Sequence, residues 1–523
     1  MSVRTARARY RIKGTGVYVD AFTQPIGGGA GHGQPYDAAG EGRRATTWRV
    51  SQLGPKSTLS YSLPTLRNRA RDAVRKNPLA DSAISTIETN IVGSGIKPLF
   101  RTSDAGLNKE LQELWLDWTD EADADGRCDF YGLQASATRA MAEAGEAFAR
   151  MRMRRLGDMD TVPVQVQLLE AEYCPTDQFH MPAVERVIDG IEFDAIGKRS
   201  AYWLYRQHPQ DWSVNQAIDL TPRRVPATEV AHIYSARRPG QIRGEPWLTR
   251  ALIKLRDLDT YDDAELERKK TAAMIAGFII RPDENGQFAG EREPDSDGVA
   301  TATWEPGTIQ FLGTGEDVKF STPTDVGGQY EVFMREQKRA LAVAAGILYE
   351  QLTGDYGEVN DRTFRASVNE FRRRAQMWQH HLVVFQLCRP IARRWLDAAR
   401  LSGAISVPRT METRDFYRIK WIPEGWSYIH PVQEVQANQM AVRSGFKSRA
   451  QVVSEQGYDV EEVDDEIAKD QQREKQLELK FDSNATHGKA GAGAGSGTGS
   501  TGPAEADSEE TDAEETERER EDA

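Results

Sequence analysis

Cysteine is scarce in this sequence. Three occur in 523 residues, namely Cys128, Cys174 and Cys388, and no two of them share a CxxC spacing. Cysteines so few and so far apart argue against a disulfide framework and against a zinc ribbon. The pattern is typical of proteins that work in a reducing, intracellular setting.

Long apolar runs are also absent. The longest, "AAMIAGFII" at 272–280, is too short to cross a bilayer. The N-terminus is basic but carries no hydrophobic core of the kind that secretory signals have. We therefore expect a soluble protein with no membrane partner.

The usual motifs of nucleotide-driven and metal-dependent enzymes are missing. The sequence contains no Walker A motif, no HExxH and no metal-type cluster of cysteine and histidine, and its glycine-rich "PIGGGAGHGQP" fits no phosphate-loop spacing. His380 and His381 are adjacent, so they cannot share one face of a helix as a metal pair. These absences argue against a nucleotide-driven motor and a zinc hydrolase, and they predict neither a cofactor nor a bound metal.

The net charge of −13 is unevenly distributed along the chain. Residues 1–76 hold fourteen Lys and Arg against four Asp and Glu, whereas residues 504–523 hold eleven acidic residues against two arginines. Charge runs of this kind are usually solvated. We predict a flexible basic arm at 1–60 and a disordered acidic tail at 483–523, which contains the segment "GKAGAGAGSGTGSTG".

Between these ends the periodicity predicts a mainly helical α+β fold. A helical pair surrounds Asn77-Pro78, where proline breaks the helix, and Gly93 is a plausible stop. Helical patterns continue at 108–118 and 131–153. From 161 to 235 the period changes to two, with Asp-Gly and Gly-Lys turn signals, which predicts a small antiparallel sheet.

The stretch "ARRPGQIRGEPWLTRAL" at 236–252 follows this sheet and enters a long helix. Its arginines could bind phosphate, or they could act as planar forks that lock domains or subunits together. Because they lie beside an apolar anchor at the helix start, we favour packing and interface contacts. The candidate residues are Arg237, Arg238, Arg243, Trp247 and Arg250.

Two helices with a β insertion between them come next. The first is predicted at 250–280 and the second at about 330–348. A hairpin is expected in the insertion, in which Ile309 and Phe311 alternate on one strand and Val318 and Phe320 on the other.

A polar loop, 349–362, leads to the most regular apolar pattern in the chain. The pattern predicts one buried stripe on a helix that Pro390 kinks or ends. The stripe consists of Phe364, Val368, Phe371, Ala375, Trp378, Leu382 and Phe385. In the loop region, the carboxylates of Asp355, Glu358 and Asp361 are candidates to bind a divalent ion, although mobile turns often have this composition.

The chain resembles the portal proteins of lambda-like tailed bacteriophages. Four segments carry the resemblance in order, and together they span about 76–457. They are "NPLADSAISTIETNIVGSGIKP", "HIYSARRPGQIRGEPWLTRALIKLRDLDTYDDAELERKKTAAMIAGFI", "LTGDYGEVNDRTFRASVNEFRR" and "HPVQEVQANQMAVRSGFKSRAQVVSEQG".

The resemblance implies a portal fold with four kinds of part. The wing corresponds to 61–249 and 363–429, the stem helices to 250–280 and 326–348, the clip to 281–325, the tunnel loop to 349–362 and the crown to 430–482. Charged residues near the loop are then expected to contact the channel or a neighbouring subunit, or to be ordinary exposed helix charges. They are Arg335, Lys338, Arg339, Arg362 and Arg365.

The function implied by the resemblance is structural and non-enzymatic. A dodecameric ring at one capsid vertex of the virion, assembled in the host cytoplasm, would conduct double-stranded DNA during packaging and ejection. Expected partners are terminase, capsid or scaffold protein, and the head-completion proteins that connect the tail. The alternative is a metal-dependent DNA-processing enzyme, such as a nuclease or recombination factor, built on the acidic loop.

Overall fold

A computed structural model describes residues 9–11, 18–20, 52–176, 186–211, 219–273, 277–280, 317–320 and 329–479. Helices predominate over these ranges and the strands form small antiparallel sheets, which confirms the predicted α+β class. Most of the predicted arm and clip, and all of the predicted tail, lie outside the described residues. No helix in the described ranges combines the length and apolar character needed to span a bilayer.

The helices are α1 (Pro55–Ser60), α2 (Leu63–Lys76), α3 (Pro78–Ile91), α4 (Ala105–Thr119), α5 (Phe130–Ala144), α6 (Leu252–Ala273), α7 (Gln329–Ala345), α8 (Tyr349–Thr353), α9 (Asp361–Trp378), α10 (Arg389–Ser402), α11 (Thr413–Phe416), α12 (Pro431–Arg443), α13 (Arg449–Glu455) and α14 (Val460–Leu477). A π-helical segment, Gln379–Cys388, joins α9 to α10, and 3-10 turns span Ala171–Tyr173, Ala227–Glu229 and Trp247–Arg250.

The strands are β1 (Arg9–Arg11), β2 (Tyr18–Asp20), β3 (Lys97–Phe100), β4 (Glu146–Met153), β5 (Val164–Leu169), β6 (Val187–Ile188), β7 (Ile191–Phe193), β8 (Arg199–Leu204), β9 (Arg223–Pro226), β10 (Val230–Tyr234), β11 (Gly277–Ile280), β12 (Asp317–Phe320) and β13 (Ile419–Ile422). They form the sheets β10-β4-β5 and β6-β7-β8-β9 and the pairs β1-β2, β3-β13 and β11-β12.

The corner between α2 and α3 confirms the predicted break at Asn77-Pro78. The Asn77 side chain accepts hydrogen bonds from the backbone N–H groups of Leu79 and Ala80, and so caps α3. Its amide also donates to Asp259 on α6 at 2.6 Å. One residue therefore ends α2, starts α3 and ties this corner to a helix far along the chain. The predicted arm is wrong at its C-terminal end, where α1 begins at Pro55, a favourable first helical position.

The two main sheets divide the region that the period-two pattern predicted. The helix predicted over 131–153 is wrong in its second half, where residues 146–153 form β4. The structure ends α5 at Gly145, which has φ +93°, and β4 starts at once. The predicted Asp189-Gly190 turn between β6 and β7 is confirmed, since both residues have positive φ.

The main core lies between the helices and one face of the β10-β4-β5 sheet. Its centre is aromatic: Trp115 packs 4.8 Å from Trp118 and 5.0 Å from Trp395, measured between ring centroids. Phe130 contacts Trp115 edge to face at 5.2 Å. A second, smaller core lies between the other face of this sheet and the β6-β7-β8-β9 sheet.

Helices α6 and α7 pack together through Tyr261, whose ring lies 6.1 Å from that of Tyr330 and 5.3 Å from that of Phe333. The predicted extent of the first helix is wrong at its end, because residues 277–280 form β11. The predicted strand around Val318 and Phe320 is confirmed as β12, but β12 pairs with β11. Its expected partner around Phe311 lies outside the described residues.

The predicted apolar stripe holds as far as Leu382 and fails at Phe385. Phe371, Ala375 and Leu382 are buried, whereas Phe385 is 59 % exposed. The reason is the π-helical segment, whose wider i→i+5 turn rotates later residues away from the 3.6-residue register. Pro390 follows directly, at the start of α10, and its missing N–H is accommodated where the helix changes type.

The polar loop is shorter than predicted. Residues 349–353 form α8, which ends at Gly354 in the left-handed conformation, and α9 starts at Asp361. The predicted glycine stop at Gly445 is confirmed after α12 by its φ of +74°. A second compact unit begins at Asp459, whose side chain caps α14 by accepting from the Glu461 N–H.

Candidate functional site

The stretch 236–250 connects β10 to α6, and its central arginine is buried. Arg243 is 1 % exposed, and its guanidinium donates to the Glu146 carboxylate at 2.7 Å from Nε. The other donors reach the backbone carbonyls of Asp189 at 2.6 Å and of Ala171 and Cys174 at 3.1 Å. One side chain thus links β4, the turn after β6 and the 3-10 turn that follows β5.

Glu146 is the centre of a buried charge cluster that also contains Arg67 and His232. Arg67 forms a salt bridge with the same carboxylate, and His232 Nε2 lies 2.9 Å from its second oxygen. Burial alone would raise the pKa of Glu146, but Arg243 and Arg67 lower it well below its ordinary range. Burial lowers the pKa of His232 to about 4, although Glu146 opposes this shift. His232 is therefore neutral near pH 7, and Nε2–H donates to Glu146.

Two glycines permit this cluster to form. A Cβ on Gly244 would lie 2.0 Å from the carbonyl oxygen of Gly145, and a Cβ on Gly145 would meet the backbone at Glu245. The two segments can cross only because neither carries a side chain. The Gly244 N–H donates to Glu146 at 2.9 Å. No motif in the sequence marks Glu146, Arg67 or His232, and the glycine before Glu146 is the sole local sign.

The other arginines of the stretch lie apart from Arg243. Arg237 and Arg250 both approach Glu245, at 2.6 Å and 3.6 Å, and Arg238 is exposed. The side chains of this group lie at the surface beside the start of α6. Of the predicted interface arginines, these three remain available to a neighbouring molecule.

Trp247 is buried and packs against Trp378 of α9, with ring centroids 4.8 Å apart. Trp247 and Arg243 therefore hold the corner together from within the chain. This corrects the expectation that their side chains contact a neighbouring subunit, since neither reaches the surface. The remainder of the prediction, a corner where a sheet meets a helix, agrees with the structure.

Helix α7 and the loop after α8 are joined by an ion-pair network. Arg335 binds Glu331 on its own helix at 2.7 Å and Glu358 of the loop at 2.6 Å. Arg339 binds Glu336 at 2.6 Å and lies over the Tyr349 ring. The predicted channel arginines of α7 thus carry acidic partners, which leaves little net positive charge at this surface.

The remaining predicted cations differ in their surroundings. Lys338 lies on the same helix and is partly exposed, and Arg362 is exposed in the first turn of α9. Arg365 points towards Glu434 of α12, 3.6 Å away. The structure therefore places Arg335 against the loop and Arg365 near α12.

The three carboxylates of the nuclease alternative do not converge. Asp355 accepts a hydrogen bond from Tyr349 OH, Glu358 binds Arg335, and Asp361 lies 3.1 Å from His430. Within the described part of the chain, the group whose ligand atoms do come together is Glu170, Glu172 and His208. Arg71 already forms salt bridges with both of those glutamates.

Helices α6 and α7 each leave apolar side chains in solvent. Ile253 is 74 % exposed and Val343 is 80 % exposed, and Leu266, Val332 and Phe333 are exposed as well. On α6, Ile253 lies on a different side from the buried Leu252, Leu255 and Leu258, because successive residues of an α-helix are about 100° apart. A helix that is apolar on more than one side has a second surface to cover.

Comparison with known proteins identifies the relatives of this chain. A family model described as phage portal protein, lambda family, matches residues 41–379. A probable portal protein of Halomonas phage phiHAP-1 is 24 % identical over 438 residues, which cover 79 % of this chain and 81 % of that protein. Portal protein B of Escherichia phage lambda is 22 % identical over 484 residues, covering 81 % and 86 %.

Two groups of solved structures are also similar. One is the neck of a native gene transfer agent particle computed with C12 symmetry, at 16 % identity, covering 78 % of this chain and 95 % of that one, with a TM-score of 0.42. The other is an HK97 family phage portal protein from Corynebacterium diphtheriae, at 11 % identity, covering 58 % and 84 %, with a TM-score of 0.29.

Proposed function

Because this chain belongs to the lambda family of phage portal proteins, we propose that its copies close into a dodecameric ring at one vertex of the capsid. Double-stranded DNA passes through the ring during packaging and ejection. Terminase, capsid or scaffold protein and head-completion proteins are its partners, and the ring assembles in the host cytoplasm. The protein itself is a structural component and not an enzyme.

The observation that supports ring formation is the set of exposed apolar side chains on α6 and α7. A closed ring needs two different faces on each subunit, one for each neighbour. Burying one Ile or Val side chain is worth roughly 1.5–3 kcal/mol, so Ile253 and Val343 together can stabilise each contact substantially. We assign α6 and α7 as stem helices on this basis, with the clip at 281–325 between them.

The other parts follow from the same proposal. Wing is 61–249 with 363–429, the tunnel loop is the segment from Gly354 to Asn360, and crown is 430–482. Pairing of Arg335 with Glu358 and of Arg339 with Glu336 suits a conduit, because each free cation near DNA adds to a salt-dependent binding term that would resist sliding. Arg237, Arg238 and Arg250 are proposed to contact the neighbouring subunit at the wing-stem corner.

Mass photometry and negative-stain microscopy of the purified chain test the ring. We expect rings for the wild type and smaller species for Ile253→Asp and Val343→Asp. Ile196→Asp is the matched control, since Ile196 is 87 % exposed in the turn after β7, and it should assemble normally. A wild-type chain that stays monomeric at every concentration would refute the ring, and normal assembly of both helix variants would remove α6 and α7 from the interface.

A further inference from the structure

Strand β4 carries arginines at alternate positions. Arg150 and Arg152 share a face of the strand with Phe148, because side chains two residues apart point the same way. The register pairs Arg150 with Gln167 of β5. Phe148 belongs to the smaller core between the two sheets, so the arginines continue that face from the core towards solvent.

At that outer end the two sheets enclose a pocket of about 470 Å³. Strands β4 and β5 form one wall, and the end of β8 with β9 forms the other. Its lining contains no carboxylate. Five arginines line it: Arg150, Arg152, Arg206, Arg223 and Arg224.

Two of the arginines in this pocket have buried N–H donors without a hydrogen-bond partner in the part of the chain that the structure describes. The Nε atoms of Arg150 and Arg152 are buried and have no hydrogen-bond partner among the described residues. Arg224 is the exception, since it binds Glu192 at 2.8 Å. Burial, followed by the charges of Arg150 and Arg154, lowers the pKa of Arg152 and outweighs the opposing effect of Asp125, so like charges dominate around this side chain. A buried donor without a partner is costly, and a bound anion would satisfy it.

The ligand must be compact and carry more than one negative charge. A phosphate group offers several acceptor oxygens and up to two charges, and arginine forks match its geometry. A single carboxylate offers one charge. A run of carboxylates spaced along a peptide would place most of them outside a cavity of about 470 Å³.

We propose that the pocket between the two wing sheets binds a phosphate group, supplied either by a nucleic-acid backbone or by a free phosphate compound. Arg150 and Arg152 hold the phosphate from the β4 side, and Arg206 and Arg223 hold it from the β8–β9 side. Arg224 is already paired and contributes less. This site lies outside the α7 and loop surface and does not depend on ring formation.

The test uses the full chain and isothermal titration with inorganic pyrophosphate at fixed ionic strength. The double variant Arg150→Gln with Arg152→Gln should weaken binding at least about tenfold, because each substitution removes a charge-assisted donor. The control is Arg154→Gln with Arg155→Gln, which removes the same charge from residues next to the pocket and should change the affinity less than about twofold. Arg223 is exposed, so Arg223→Gln should fold normally and should also weaken binding. It shows that the loss of affinity does not come from a folding defect in the double variant.

A second arm measures fluorescence anisotropy of a 30-base-pair duplex. A parallel loss of duplex affinity in the β4 double variant identifies the nucleic-acid backbone as the source, and an unchanged duplex affinity identifies a free phosphate compound; both support the site. The proposal is overturned if wild type does not bind pyrophosphate, or if the control loses as much affinity as the double variant. It is also overturned if a peptide of residues 504–523 binds the pocket and pyrophosphate does not displace it.

Discussion

Glu146 shows how one side chain can fix the relation between two sheets. It is fully buried and is the shared counter-ion of Arg67 and Arg243, each of which also reaches backbone carbonyls. Removing one partner from a buried ionic cluster leaves uncompensated charge, which is more damaging than replacing the whole cluster with apolar groups.

We therefore expect Glu146→Gln to lower the free energy of unfolding by about 3–5 kcal/mol, measured by urea denaturation. Glu192→Gln is the matched control. It breaks the pair with the half-exposed Arg224, and pairs at the surface contribute only about 0–1 kcal/mol. Equal losses in the two variants would contradict the central role of Glu146.

His232 makes this cluster sensitive to acid. Its pKa is depressed to about 4 from an ordinary 6.5, so between these values the unfolded chain binds a proton that the folded chain does not. The stabilisation is complete above pH 6.5 and is lost as the pH falls towards 4. We expect His232→Gln to flatten the decline of unfolding free energy over this window by on the order of 3 kcal/mol.

The measurement is urea denaturation at a series of pH values. His380→Gln, which replaces an exposed histidine of the π-helical segment, is the control and should keep the wild-type dependence. Retention of the full pH dependence by His232→Gln would contradict the assignment. Part of the decline below pH 4.5 should remain in every variant, because the unfolded chain protonates Glu146 there while the folded chain, in which the pKa of this carboxyl is lowered well below 4.5, keeps it ionised.

At the scale of single residues, sequence patterns located the corner but not its chemistry. Four arginines beside Trp247 indicated a junction, and a junction is what the structure shows. Nothing in a linear pattern could pair Arg243 with Glu146, which lies 97 positions away, since that contact depends on how two sheets approach each other. The helix predicted over 131–153 also conceals the arginines of β4, because only a strand places Arg150 and Arg152 on one face.

At the scale of elements, the region from α9 through the π-helical segment to α10 shows both what sequence periodicity predicts and what it misses. The 4-3-4-3 spacing correctly predicts a helix and the burial of Phe371, Ala375 and Leu382. It cannot reveal a π-helical segment, because that change is set by the surrounding packing and by Pro390 at the next helix start.

A pair of alanine substitutions tests this register. Leu382→Ala should lower the free energy of unfolding by about 2–5 kcal/mol, because Leu382 is 7 % exposed. Phe385→Ala should change it by only about 0.5 kcal/mol in the unassembled chain, because that ring lies largely in solvent. Comparable losses in thermal or urea unfolding would mean that the α-helical register continues through residue 385.

Other elements were predicted where local chemistry decides the structure. Asn77-Pro78, the Asp189-Gly190 turn and Gly445 were all recognised, since capping and positive φ depend on near neighbours. The end of α6 was not recognised. Residues 277–280, which follow α6, are apolar enough to form either a helix or a strand. Only their pairing with β12 decides for the strand.

At the scale of the whole molecule, the segment from Gly354 to Asn360, proposed above as the tunnel loop, should act on DNA and not on assembly. Glu358→Ala removes the pair that joins the loop to Arg335. On the proposed assignment this leaves a cation facing DNA, so we expect intact rings and reduced DNA packaging in vitro. Glu331→Ala, which removes the other partner of Arg335 within α7, is the control for the lost charge. Failure of Glu358→Ala to form rings would instead place the loop in a subunit contact.

The pairing of β11 with β12 has a consequence for the engineering of such chains. Residues 280 and 317 are partners in the ladder, so the chain between them departs and returns at adjacent points. Doubling the length of a loop whose ends are held together adds only about 0.6 kcal/mol to the free energy of loop closure. Residues 281–316 are therefore a natural position for a graft: a foreign domain or an affinity tag whose own termini are close together could be exchanged there without altering α6 or α7.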